Sequence, residues 1–242
     1  MTKSELNKFI DLYNLGGSIE SVKIVSDGDS LKTSFVSDDK TLAGTVSFSS
    51  IKVDKGEYGI YDTAQFKKMV GVLDETISIT VNKIDDRPIS WNVSDGSVDS
   101  TILLADLSVI PVAPKIKEIK SYDVEIAMSD EFIDKYVRSK NALADADTFT
   151  LLTNKKDKIE LVIGYSNTNT SRIKLDVSAI AGKDKLDKPI SFNANYFKEI
   201  VSKSRGHGGV IYKVASAGIS NLCFGNKDFE ACYYLIKKEI NN

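Results

Sequence analysis

Several kinds of residue are scarce in this chain, and each scarcity narrows what it can be. There is one histidine, and His207 sits among glycines in Gly206-His207-Gly208-Gly209, the setting of a loop residue rather than a catalyst. There are two cysteines. Cys223 and Cys232 have no CxxC or CxxH context, which argues against zinc. They are also too few for a disulfide framework, so reduced thiols in a cytoplasmic setting are expected. No apolar run approaches the roughly 20 residues that span a membrane. Met1–Lys8 is polar and no apolar signal segment follows, so no secretion signal is expected. Neither GxxxxGK[ST] nor GxGxxG occurs, and Asp27-Gly28-Asp29 lacks the rest of a calcium loop. No serine or cysteine nucleophile has an evident base beside it. The expectation is a non-enzymatic protein without cofactor or metal.

Charge is balanced as well. The formal net charge is -2 over 242 residues, which excludes a chain that grips nucleic acid with its whole surface but leaves room for a local basic face. Hydrophobic content of 42% and charged content of 27% are those of a globular protein. The length suits one large domain or two of roughly 100–120 residues.

Proline is rare, with four in the chain, and two fall close together at the middle. Pro111 and Pro114 lack backbone N–H groups and push Asp106–Lys120 toward extended geometry. Leu107, Val109, Ile110, Val112 and Ile116 nevertheless favour burial, so this stretch reads as a connector lying against the protein surface. The domains expected are 1–105 and 121–242, joined by 106–120.

The two halves repeat one order of elements. Thr2-Lys-Ser-Glu5 is a capping box, followed by the apolar helical stripe Leu6, Phe9, Ile10, Tyr13 and a stop at Gly16-Gly17. Strands are expected at Val22–Ser26, Leu31–Val36, Leu42–Phe48 and Tyr58–Tyr61, with hairpin turns between the first three. Asp62 caps a second helix with stripe Phe66, Met69, Val70, Leu73. Strands at Thr76–Lys83, Ile89–Val93 and Ser97–Leu104 close the first half. The second half offers a strand at Val124–Met128, then a helix capped by Ser129 with stripe Phe132, Ile133, Tyr136, Val137. Strands follow at Thr148–Thr153, Ile159–Tyr165, Arg172–Val177 and Ile190–Phe192. A helix capped by Asn193 carries Tyr196, Phe197, Ile200 and Val201 inward. Val210–Ala215, Asn221–Phe224 and Ala231–Ile236 finish the chain as strands. Two helices and many hairpin strands per half predict an α+β architecture built by duplication, with helices on one face of antiparallel sheet.

The outward helix faces carry the functional signal. Lys8, Lys68 and Lys135 each lie two residues after an apolar stripe residue, Leu6, Phe66 and Ile133, whereas Glu199 takes the equivalent place in the fourth helix. Lys135 and Arg138 share one polar face, as do Lys198, Ser202 and Arg205 on the fourth helix. Such faces are ordinarily solubilising, but recurrence at matched places favours sequence-independent phosphate contact. Lys140 falls on the apolar side of its helix, so either the helix ends early or the side chain snorkels.

The ordered set of segments resembles a DNA-polymerase sliding clamp of the proliferating-cell-nuclear-antigen type, and most of all the processivity clamps of tailed bacteriophages. The resemblance rests on Tyr58-Gly-Ile-Tyr-Asp62, Ser100-Thr-Ile-Leu-Leu104, Asp130–Arg138, Arg172-Ile-Lys-Leu175, Phe192–Val201 and Cys232–Ile240. It implies a duplicated two-domain clamp fold with antiparallel sheets outside and four short helices on the inner face. It further implies a homotrimeric ring that encircles duplex DNA and tethers the replicative polymerase, loaded by an ATP-dependent clamp loader, in the cytoplasm (the host's, if viral). The resemblance points Lys8, Lys67, Lys68, Lys135, Arg138, Lys198, Ser202 and Arg205 toward DNA. It assigns a partner-peptide pocket to Leu42, Val109, Ile110, Pro111, Leu235 and Ile236, for which core packing of the connector is the alternative. It joins subunits through Ser100, Ile102 and Leu104 on one edge and Arg172, Lys174 and Asp176 on the other. Two departures stand out. Clamps of this type begin with a strand before the first helix, and the first two helices here carry few cations, which implies weak attraction to DNA without the loader. The rival readings are a non-enzymatic β-rich structural or interaction protein of a virion or complex, and an enzyme with a carboxylate site.

Overall fold

A computed structural model describes residues 1–116, 119, 121–156, 158–166, 170–182 and 186–239. The chain divides into two compact units, Met1–Asp38 with Ala43–Pro114 and Gly225–Ala231, and Asp39–Leu42 with Lys115–Phe224 and Cys232–Asn242.

The first unit opens with helix α1, Lys3–Asn14. Its capping box forms as the sequence requires: Glu5 N donates to Thr2 Oγ1 at 3.1 Å and Thr2 N donates to Glu5 Oε2 at 2.9 Å. Leu6, Phe9, Ile10 and Tyr13 are buried, and the helix stops where Leu15 and Gly16 turn left-handed, with φ of 46° and 70°. Strands β1 (Val22–Ser26), β2 (Leu31–Val36), β3 (Leu42–Phe48) and β4 (Gly56–Ile60) pair antiparallel in the order β4-β1-β2-β3. The far side of β3 meets residues 228–229: Ser49 N donates to Asp228 O at 2.9 Å, and Phe48 stacks on Phe229. Helix α2 (Thr63–Gly71) is capped by Asp62, which accepts from Gln65 N at 2.7 Å. It is followed by β5 (Ser78–Ile84), β6 (Arg87–Ser94) and β7 (Asp99–Leu103), in the order β5-β6-β7. Trp91 of β6 is fully buried, edge-on to Tyr58 and Phe66 at 5.0 and 5.9 Å.

The second unit runs β8 (Val124–Ala127), α3 (Asp130–Ala142), β9 (Thr148–Thr153), β10 (Ile159–Ile163), β11 (Ile173–Asp176), β12 (Ala179–Gly182), β13 (Ile190–Asn193), α4 (Ala194–Ser204), β14 (Ile211–Ala215), β15 (Ile219–Gly225) and β16 (Phe229–Ile236). One sheet has the order β13-β9-β10-β11. In the other, β14 lies between β8 and β15, and β12 pairs the outer side of β8. Ser129 and Asn193 cap the helices as expected. Tyr136, Phe149, Phe197 and Tyr212 form the aromatic core, with Tyr136 and Phe197 edge to face at 4.9 Å.

The duplication is visible in the pairing. In each unit a helix precedes three strands, a later strand returns to pair the first of them (β4 on β1, β13 on β9), and a second helix precedes three more strands. The chain has the expected α+β class. Where β8 precedes α3, only a short bridge precedes α1: Ile77 N donates to Met1 O at 3.1 Å and Lys3 N to Glu75 O at 2.7 Å. No alternation or turn in the sequence predicts β12.

Two expectations are corrected. Cys223 and Cys232 are not reduced thiols; they form a disulfide, with Cα atoms 4.1 Å apart. β15 and β16 are neighbouring strands, and their pairing brings the two residues together, an approach that spacing along the chain does not disclose. The connector's apolar side chains are mostly not buried. Ile110 alone among the five is buried, while Val112 is 90% exposed and Leu107, Val109 and Ile116 are exposed too. Leu107–Val109 form a 3-10 turn capped by Asp106 where extended chain was expected, and Ile110, directly after it, packs beside Gly59 of β4. Lys117, Glu118 and Lys120 of the connector, and Ile240 of the closing segment, lie outside the described residues. No helix among the described residues is long and apolar enough to cross a membrane.

Candidate functional site

The helices position the cations. In the first unit Lys8 of α1 is exposed and its Nζ lies 4.1 Å from the centroid of the Phe229 ring, a cation–π contact. Lys67 and Lys68 of α2 are both exposed. Lys67 reaches back to α1, its Nζ 2.6 Å from Asp11 Oδ1. The two helices are also joined by Asn14 Nδ2 donating to Thr63 Oγ1 at 2.8 Å.

In the second unit Lys135 and Arg138 project from α3 as the helical spacing requires. Lys135 pairs with Glu131 one turn earlier at 2.7 Å, and that ammonium holds the Glu131 carboxyl below its usual range by hydrogen bond and charge. Arg138 Nε donates to Asp134 O at 3.3 Å. Arg205, immediately after α4, places Nη2 at 3.0 Å from Asp134 Oδ2. Ser202 is exposed and donates to Lys198 O at 2.7 Å. Lys68 and Lys198 have no acidic partner among the described residues. Of these cations Lys67, Lys135 and Arg205 are matched by acids, while Lys8, Lys68, Arg138 and the half-buried Lys198 meet no acid side chain among the described residues.

Lys140 resolves the ambiguity seen in the sequence. The helix continues past it, the residue is 3% exposed, and its ammonium donates to Ala144 O at 2.8 Å. Burial, with Lys198 nearby, pulls this ammonium below the ordinary lysine value.

The connector begins with Asp106, whose Oδ1 accepts from Ser108 N at 2.9 Å and whose carboxylate also meets Arg87. The Ser108 hydrogen bonds, then the Arg87 charge, hold that carboxyl below its usual range. Of the residues assigned to a partner pocket, Leu42, Ile110 and Leu235 are buried in the single chain. Val109, Pro111 and Ile236 remain exposed.

β7 and β11 are the end strands of their sheets. On β7 the side chains named from the resemblance lie on the inner face of the pleat. Ser100 and Ile102 point inward, with Ser100 Oγ donating to Met69 O at 3.2 Å, and Leu104 is half-buried. The outward side chains are Asp99, Thr101 and Leu103, and Leu103 is 78% exposed beside Tyr61. The alternation Ser100, Ile102, Leu104 is that of a core-facing row, and it was available as a signal. On β11, Lys174 and Asp176 point outward and Arg172 precedes the strand exposed; Lys174 pairs with Glu160 at 3.1 Å. The acids Asp11 and Asp134 carried no sequence signal, because their partners lie on other helices.

His207 packs its ring against Phe224 at 5.2 Å, in the loop expected. Among the described residues no three His, Cys, Asp or Glu side chains gather as metal ligands do.

Neither a protein-family pattern nor a curated protein sequence matches the chain. Solved structures do. Proliferating cell nuclear antigen (PCNA) of A. fulgidus, solved with the C-terminal region of FEN-1 bound, superposes with a TM-score of 0.72 at 16% identity, covering 100% of this chain and 98% of that one. The proliferating cellular nuclear antigen of Entamoeba histolytica gives 0.72 at 12% identity over 99% and 97%. The PCNA2–PCNA3 complex of Sulfolobus tokodaii gives 0.66 at 14% over 96% and 96%. Likeness of this extent at such low identity is likeness of fold, and it spans every element from α1 to β16: the chain has the fold of the proliferating-cell-nuclear-antigen sliding clamps.

Proposed function

We propose that this chain is a DNA polymerase processivity factor: copies close head to tail into a homotrimeric ring that encircles duplex DNA and tethers the replicative polymerase. The observation that carries the reading is the full-length fold likeness to clamps. The internal repeat supports the mode of closure. In the first unit the far side of β3 is met by the start of β16. The repeat makes β11 the counterpart of β3 and β7 the counterpart of β16, and both counterparts are sheet ends. A second copy offering β7 to β11 would repeat the first arrangement and leave neither edge free.

The protein's role is then topological and non-enzymatic. A closed ring holds DNA without tight contact, which suits helix faces on which Lys67, Lys135 and Arg205 are already matched by acids. A ring must be opened onto DNA, so an ATP-dependent loader is a further partner. The exposed Val109 and Val112 offer an apolar strip to a short apolar peptide of the polymerase. A protein of the same fold, the A. fulgidus clamp, binds the C-terminal region of FEN-1. The site of action is the cytoplasm.

Absolute mass by light scattering across a dilution series, followed by primer extension with a polymerase and loader, tests the proposal. A species near three times 26.6 kDa that dissociates on dilution, and that lengthens the extension products, is expected. A monomer at all concentrations, or a ring to which the polymerase is indifferent, refutes it and favours an interaction protein.

A further inference from the structure

In both units an acid of the first helix is matched to a cation supplied by the second. Asp11 of α1 meets Lys67 of α2 at 2.6 Å, and Asp134 of α3 meets Arg205 at the end of α4 at 3.0 Å. All four side chains remain partly exposed, so neither pair is a buried structural lock. Half-exposed ion pairs add little to folding. The pairs stand at different places along their helices, so what the two units share is an acid of the first helix meeting a cation of the second at the surface, and its role is sought there rather than in the core.

We infer that Asp11 and Asp134 are internal competitors of DNA phosphate, positioned to weaken the hold of Lys67 and Arg205 on the duplex. This rests on the proposed clamp function and deepens it. A lysine or arginine facing solvent gains its DNA affinity by neutralising a phosphate and releasing that phosphate's condensed counterions. A cation already matched by a carboxylate must surrender that partner first, and the carboxylate left behind repels the same phosphate. Lys67 and Arg205 thus contribute less than their number suggests, while Lys68 and Lys198 remain available. A ring that holds by topology gains from this, because low friction on the backbone favours sliding.

The test is equilibrium binding of the full chain to a short fluorescent duplex at several salt concentrations, read by anisotropy. Four proteins are compared: wild type, Asp11→Asn/Asp134→Asn, that variant with Lys67→Gln/Arg205→Gln added, and Lys68→Gln/Lys198→Gln. Asparagine keeps the shape of aspartate, and a thermal melt of each variant reports folding independently. The acid-to-amide variant frees two cations per subunit. Its log–log salt slope is expected to steepen by about 1.8 for each subunit that meets the duplex, equivalent to about a tenfold larger loss of affinity between 50 and 200 mM salt. Removing Lys67 and Arg205 as well is expected to return the slope to the wild-type value. If the acid-to-amide variant matches wild type while Lys68→Gln/Lys198→Gln binds less well, the helices meet DNA but the inference is overturned. If none of the variants differs from wild type, these helix faces do not meet DNA, and the proposed function falls with the inference.

Discussion

The rings of Phe48 and Phe229 stack with centroids 5.2 Å apart and 21° between their planes, joining the end of β3 to a segment 181 residues later in the chain. Phe9 meets Phe48 edge to face from α1 at 5.7 Å, and Lys8 covers the outer side of Phe229. The cluster places the late segment in the first unit. Phe229→Ala removes the stacked ring and leaves a cavity beside Phe48. A loss of about 3–4 kcal/mol is expected, measured as a shift in the urea midpoint at unchanged slope. A loss below 1 kcal/mol would show that the stack is incidental.

Gly59 is a second point of tight approach. Ala105 N donates to Gly59 O at 2.9 Å, and a Cβ on residue 59 would fall 2.7 Å from the Ala105 carbonyl oxygen. That oxygen belongs to the backbone and cannot swing aside, so Gly59→Ala must push the start of the connector off β4. We expect about 1–3 kcal/mol of destabilisation. Faster proteolytic cleavage near residues 105–110 than at other loops would locate the effect.

Asp95 supplies the clearest dependence on acid. Its carboxylate accepts from the backbone N–H of Asp74 and of Val98, from the Ser97 hydroxyl and from Ser97 N, and these bonds hold its pKa far below the ordinary aspartate value. A pKa lowered by folding contributes stability above the unfolded carboxyl value, near 3.9, and that stability disappears as pH falls through the folded value. Asp95→Asn is therefore expected to lower the melting temperature at pH 7. The difference from wild type should narrow as pH falls below about 4. A gap that stayed constant from pH 7 to pH 2 would mean the charge plays no part.

Leu103 tests the edge of β7. It is 78% exposed in the single chain, so Leu103→Arg should change the stability of an isolated subunit by no more than about 0.5 kcal/mol. If β7 pairs with another copy, a buried arginine in the joint should raise the concentration at which the assembly dissociates by about tenfold or more, some 1.4 kcal/mol. Light scattering on dilution measures it, and an unchanged midpoint would exclude this edge from the joint.

Local chemistry made the helices legible. Thr2, Asp62, Ser129 and Asn193 each cap the helix the sequence placed after them, because a cap is a bond between near neighbours and needs no knowledge of the rest of the chain. Most strands were legible within a residue or two from alternation and turns. β12 was not, since Ala179–Gly182 has neither a strong pattern nor a turn signal and is held by pairing with β8.

The sequence by itself therefore determined the repeated order of helices and strands, the helix boundaries, the exposed positions of Lys8, Lys68, Lys135 and Arg138, and the loop setting of His207. Those follow from contacts a few residues apart. Only the tertiary structure decided that Cys223 meets Cys232, that Leu103 rather than Ile102 faces outward on β7, and that Asp11 and Asp134 meet Lys67 and Arg205. Each depends on strand register or on the approach of two separate helices, which the packing of the whole unit selects and no local pattern encodes.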